Sequence, residues 1–208
     1  MSKERQAHKR EEIRNLILNT AREIISRDGV QALSIRKITK EIDYSPAIVY
    51  HYFKDKNEII ELLVADGYRR ILDLISKVNK NEDEPEKEIQ EVFLNYIEGA
   101  LNFSEEYKAF ILNDDPKVLK KTAVLKEGIS KTSPTIKLLT DAIQRGIDKG
   151  RFIPGNAELT AQIIWTSAFG LIIKIIFEKN ISEQQKNHLI EQYLKTMFNG
   201  ILIREEKK

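Results

Sequence analysis

The residues of this chain whose types and spacing could do chemistry lie between Ser34 and Phe53, and the chemistry is recognition. The string Ser45-Pro46-Ala47-Ile48-Val49-Tyr50-His51-Tyr52-Phe53 opens a short helix: Ser45 stands at the N-cap, and Pro46 takes the first helical position, where a missing N–H costs nothing. A helix that short does not persist alone, so Val49 and Phe53 must pack inward. Their support is a preceding short helix that starts after Ser34, with Ile35, Ile38 and Ile42 on its inner side and a stop at Asp43-Tyr44. Two short helices joined by a tight turn make a helix-turn-helix. The second then presents Ser45, Ala47, Ile48 and His51 outward, on a face that suits a major groove about 12 Å wide. Ala47 lets the backbone approach base edges, and Ile48 offers an apolar contact for a thymine methyl.

Other chemistries lack their residues. The chain has no cysteine, which removes disulfides, thiol catalysis, iron–sulfur clusters and Cys-ligated zinc. His8, His51 and His188 are scattered, without the spacing of a metal site. No glycine-rich phosphate loop occurs, and no serine is tied by spacing to a histidine. The reading is a protein that is not an enzyme and carries neither metal nor cofactor.

The elements that position these residues are helical throughout. The chain has 208 residues, 41% hydrophobic and 32% charged, enough apolar material for a real core. Ile13, Leu16, Ile17, Ala21, Ile24 and Ile25 follow an i, i+3, i+4 stripe, which predicts a first helix over 9–27, ending at Asp28-Gly29 with Gly29 as a left-handed cap. Further helices are predicted near 57–79, 86–103, 105–112, 116–150 (broken around Ser133-Pro134), 156–179 and 183–204. The polar run 79–88, containing Pro85, reads as a connecting loop. The expected fold is all-α: a three-helix helix-turn-helix domain over 1–56, then a helical ligand-binding and dimerisation domain over 57–208. Charge follows this division. Residues 1–57 hold 12 Lys/Arg against 8 Asp/Glu, while the remainder is slightly acidic. No signal peptide opens the chain, and the apolar run 163–177 falls short of a membrane span, so the protein is expected to be soluble and intracellular. The last two helices are apolar over wide faces. They are expected to meet their own copy as a four-helix bundle, the alternative being that both line one large monomeric core.

From Leu33-Ser34-Ile35-Arg36-Lys37-Ile38 through Ser45-Pro46-Ala47-Ile48-Val49-Tyr50-His51-Tyr52-Phe53-Lys54-Asp55-Lys56-Asn57-Glu58, the sequence resembles the TetR family of bacterial transcriptional regulators. The resemblance is specific over residues 10–60. It departs at Asp43, where the family usually has glycine in the turn; Asp tolerates the left-handed conformation better than most residues. The resemblance implies a cytoplasmic homodimer on a palindromic operator in double-stranded DNA, most simply a repressor, released when a small apolar or aromatic effector binds the C-terminal domain. It assigns phosphate contacts to Tyr50, Lys56 and Ser34, phosphate neighbours to Arg36, Tyr52 and Lys54, and base contacts to Pro46, Ala47, Ile48 and His51.

In the C-terminal half, Phe93, Tyr96, Phe110, Trp165 and Phe169 are the candidates for an effector pocket, the alternative for each being an ordinary core aromatic. Trp165 and Phe169 stand one turn apart before Gly170, whose missing side chain would admit a close neighbour. Glu105-Glu106 and Asp114-Asp115 read as solvated helix ends. A dimeric helical ligand- or protein-binding module without operator binding shares all of these features except DNA affinity.

Overall fold

The computed structural model describes residues 3–111, 123–178 and 180–203. Among them the helices are α1 (Lys3–Asp28), α2 (Ile35–Ile42), α3 (Pro46–Tyr52), α4 (Lys56–Ser76), α5 (Pro85–Asn102), α6 (Ser104–Ile111), α7 (Pro134–Asp148), α8 (Ala157–Phe177) and α9 (Glu183–Ile201). The described residues form no strand beyond an isolated bridge between Phe152 and Leu202. The chain divides into two compact units. One is built from Met1–Arg70 with Phe103–Leu119, the other from Ile71–Asn102 with Lys120–Lys208.

The first unit closes over Ile17, Ala21, Ile24 and Ile25 of α1, Ile38 of α2, Val49 and Phe53 at α3, and Ile59 and Leu63 of α4. The stripe read from α1 is thus its core face except at Leu16, which is 41% exposed, and the helix starts well before that stripe. Its first six residues, 3–8, hold no apolar period, so pattern alone gave them no element. Gly29 has φ 82° and ψ 160°, which is not the expected left-handed helical cap. It throws the chain outward into a single 3-10 turn, Val30–Ala32, before α2. A positive φ with so extended a ψ is open to glycine and to little else.

In the second unit α7 packs on α5 and α8, with Ile89, Phe93 and Ile97 facing Ile136, Leu139 and Ile143 in the core. Pro85 belongs to α5 rather than to a loop, because proline is as welcome in the first helical turn as in a turn between helices. Residues 123–133 form a strap with a single 3-10 turn, Ile129–Lys131, where the sequence had predicted α-helix. Gln162 donates from its side-chain amide to the Val124 and Lys126 carbonyls at 2.9 and 3.1 Å. One turn earlier, the Glu158 carboxylate accepts from the backbone N–H groups of Gly128 and Ser130 at 2.7 and 2.9 Å, and from the Ser130 hydroxyl. Those bonds, the Ser130 hydroxyl first, hold the Glu158 carboxyl below its ordinary range.

Phe152 is fully buried, and it lies where any side chain at Gly146 would have to go. That close approach folds residues 151–153 back onto the end of α9. Ile153 donates to the Ile201 carbonyl at 2.8 Å, and Ile203 donates to the Arg151 carbonyl at 2.9 Å. By length and composition alone α8 could cross a membrane, since the helix begins at Ala157 and exceeds the run read from the sequence. Its packing on α7 and α5 and its hold on the strap are those of a helix in a folded unit.

Candidate nucleic-acid interface

Ser34 caps α2, its hydroxyl accepting from the Lys37 backbone N–H at 3.2 Å. Asp43 ends α2 at φ 54° and ψ 43°, in the left-handed conformation that the turn requires. Tyr44 then donates to the Thr39 carbonyl at 3.1 Å, and the chain turns into α3. Ser45 occupies the N-cap of α3, but its hydroxyl makes no capping bond. With Pro46 next, the N-terminal donors of α3 are left to solvent or to a ligand.

Val49 and Phe53 are the buried anchors of α3, at 0% and 1% exposure. Ser45, Pro46, Ala47, Tyr50 and His51 are exposed, as are Ser34 and Arg36 at the start of α2 and Lys54 and Lys56 in the turn into α4. Ile48 and Tyr52 are half-buried, Tyr52 packing against the core cluster and edge-on to His51 at 5.2 Å between ring centroids. Tyr50 is 57% exposed, too much for a core residue. The turn is fixed from below: Asp55 accepts from the backbone N–H groups of Asn57 and Glu58 at 2.9 and 3.0 Å, and Glu58 accepts from the Lys54 N–H at 2.7 Å. Lys54 and Lys56 therefore project from an ordered corner.

Most of the described cations of this unit fall into two sets, with Arg14 apart, over the Phe53 ring. Arg22, Arg27, Lys37, Arg69, Arg70 and Lys108 are ion-paired. Among the described residues Lys9, Arg10, Arg36, Lys40, Lys54 and Lys56 have no acidic partner. Lys9, Arg10 and Lys40 are additions to the residues singled out from the sequence, since pairing is a tertiary property that no local pattern reports. Glu106 is a correction: it is buried in α6, with Arg22 Nε 3.9 Å away, instead of solvated at a helix end. Asp114 and Asp115 lie outside the described residues.

The corner between α1 and α2 is an acid-sensitive clamp. Asp28 is bonded by Arg27, with N···O 2.9 Å, and by Lys37 at 2.7 Å, and these partners hold its carboxyl at about 2 instead of 3.8. A lowered carboxyl value in the folded state stabilises above the unfolded value and ceases to do so as pH falls through the folded one. Between pH 3.8 and about 2 the wild type should therefore lose stability that Asp28→Asn lacks throughout. Urea midpoints of the two proteins across that range should converge as the acid is added.

The effector candidates fall in different places. Phe93, Tyr96 and Trp165 come together in the second unit: Tyr96 stacks on Trp165 with centroids 4.4 Å apart, and Phe93 lies 6.1 Å from Trp165. Phe169 is half-buried one turn beyond Trp165, and the Phe110 side chain lies outside the described residues. Gly170 is exposed with nothing close to its open side, so within one chain no neighbour uses the missing side chain. A groove of about 590 Å³ opens instead between α8 and α9, lined by Leu159, Ile163, Tyr193, Met197 and Ile201 among others. Leu159 and Ile163 are 59% and 69% exposed there. Tyr193 donates its hydroxyl to the Ile164 carbonyl at 2.9 Å, which fixes the groove floor, and burial pushes that phenol above its ordinary value.

Residues 17–63 match the family model described as "Bacterial regulatory proteins, tetR family". Over 194 residues the chain is 24% identical to the HTH-type transcriptional regulator UidR of Escherichia coli (strain K12), covering 91% of this chain and 92% of that one. Among solved structures, a bacterial regulatory protein in the tetR family from Rhodococcus RHA1 superposes with a TM-score of 0.69 at 18% identity, over 92% of this chain and 98% of its own. The ketosteroid transcriptional regulator KstR2 of Mycobacterium tuberculosis does so with a TM-score of 0.62 at 17% identity, over 92% and 95%. At such identities the two structures show a shared fold.

Proposed function

We propose that this TetR-family transcriptional regulator is a repressor that binds a palindromic operator as a dimer and is released by a small, uncharged, largely apolar effector. The observation that carries the reading is the state of α3. It is pinned on one side by Val49 and Phe53 and open on the other at Ala47, Tyr50 and His51, and unpaired cations flank it. On this reading Pro46, Ala47, Ile48 and His51 meet bases. Ser34, Arg36, Ser45, Tyr50, Tyr52, Lys54 and Lys56 meet the backbone, which positions the helix without reading sequence. The dimer forms through α8 and α9, whose exposed Leu159 and Ile163 a second copy would cover. Two recognition helices then enter successive major grooves roughly 34–36 Å apart.

The effector is assigned to the second unit, at the aromatic group Phe93, Tyr96 and Trp165 with Phe169 as a further candidate; Phe110 belongs to the first unit and falls outside that group. Stacked as they are, these rings must part for a ligand to enter. A ligand that does so favours one arrangement of the dimer, and linkage requires DNA and effector to weaken each other's binding equally.

The test is a fluorescence anisotropy titration on duplex DNA from upstream of the protein's own gene, beside a scrambled duplex, at several salt concentrations. The expected result is specific binding, steep in salt, at two chains per site. In Lys56→Ala the loss should be uniform across sequences, and the slope of log affinity against log salt should shrink by about one. An unchanged slope would remove Lys56 from the interface. Shallow binding equal on both duplexes and on genome-wide fragments would favour a module that does not act on DNA.

A further inference from the structure

α1 is longer than its unit needs. It begins at Lys3, yet the first of its side chains to pack against the core is Ile13. Residues 4–12 are all exposed. At 1.5 Å per residue, the part before Ile13 reaches about 15 Å beyond the packed helix. The family match begins only at residue 17, so this arm lies outside the part of the chain that the family model describes.

Two contacts fix its direction. The Arg14 guanidinium sits over the Phe53 ring, 5.6 Å from the centroid, at the end of α3 and just before α4. Eight residues on, Arg22 reaches Asp66, well along α4, at 2.9 Å. α1 and α4 therefore run parallel. Everything before Arg14 overshoots at the end of α4 where Lys54 and Lys56 project, on the side of the recognition helix.

The arm's charges suit that place. Arg10 lies one turn before Arg14, on the stripe that faces Phe53, with Lys9 beside it. Neither has an acidic partner among the described residues. Of the nearby acids, Glu12 is turned to His8, with Nδ1 3.2 Å from its carboxylate. Residues 3–14 carry five Lys/Arg against three Glu. Unpaired cations on an exposed helical projection are an arrangement that duplex phosphates satisfy without any reading of sequence.

We infer that residues 3–12 of α1 form a basic arm that grips backbone phosphates flanking the half-site, through Lys9 and Arg10. The inference rests on the DNA-binding reading and adds contacts outside the helix-turn-helix.

The test uses the full chain and a random-sequence duplex, since phosphate contacts do not depend on sequence. The salt slope of binding is measured for wild type, Lys9→Ala/Arg10→Ala and a control double substitution, Lys126→Ala/Lys195→Ala, that removes the same charge from exposed positions of the second unit. The arm variant should lose about 0.9 of slope for each phosphate contact removed, and the control should keep the wild-type slope. A Lys9→Gln/Arg10→Gln variant, which keeps the helix former and removes the charge, should match the alanine variant and melt like the wild type. An arm variant whose slope equals the wild type's, or a control that falls as far, would overturn the arm while leaving the recognition helix in place. A wild type that binds DNA without salt dependence would overturn both readings together.

Discussion

Replacing Arg145 with methionine should destabilise the protein by about 3–5 kcal/mol, because it strands a buried carboxylate. Glu88, in the first turn of α5, is 8% exposed and ion-paired with the Arg145 guanidinium of α7. Its other bond is from the Asn81 backbone N–H at 2.7 Å, which also ties the loop before α5 into the group. Methionine would fill much of the space of the arginine stem but donate nothing. Trp165 is the chain's single tryptophan and stacks in the same unit, so its fluorescence in urea reports the change. Adding Glu88→Gln should restore a large part of the loss, since a neutral amide costs far less to bury unpaired than a carboxylate. If the single variant kept its urea midpoint, water or another donor would have to be satisfying Glu88.

The second large effect falls on function. Val49→Asp should abolish binding to operator and random DNA alike. Val49 is fully buried beneath α3, and an unpaired carboxylate there costs about 3 kcal/mol or more. A seven-residue helix has no stability of its own to set against that. Its recognition face should disperse while the second unit stays folded, so the anisotropy change on DNA should vanish with Trp165 fluorescence unchanged. Retention of binding would mean that α3 is held by contacts other than its own inner face.

Why Val49 was legible in advance, and Glu88 was not, marks what sequence can tell. Val49 and Phe53 stand four apart in a helix opened by Ser-Pro, too short to stand alone, so their inward orientation follows from local rules. Asp43 was legible in the same way, as a residue able to take a left-handed φ at a helix end. The positions of Glu88 and Glu106 are set by partners 57 and 84 residues away, Arg145 and Arg22, and local pattern gives a glutamate on a helix only its ordinary exposed reading. Pro85 was misread because proline suits both a loop and a first helical turn, and only the packing of Ile89, Val92 and Phe93 distinguishes them. The first turns of α1 gave no apolar period because they bury nothing. The pairing of Phe152 with Gly146 depends on a six-residue return that neither residue announces. The recognition face was thus readable to the extent that its geometry is local. The division of cations into paired and unpaired sets, which suggests the arm, needed the fold.

The exposed Leu159 and Ile163 beside the α8–α9 groove carry a consequence for gene dosage. If two copies must meet there before an operator can be gripped, the amount of active species at low abundance rises with the square of the amount of chain. Halving expression would then cut operator occupancy by more than half. If the protein represses as proposed, a strain with one weakened promoter for this gene would leak disproportionately, and its daughters would differ from cell to cell more than their protein counts do. Substituting Ile163 with a polar residue should steepen that dependence without touching a residue that faces DNA.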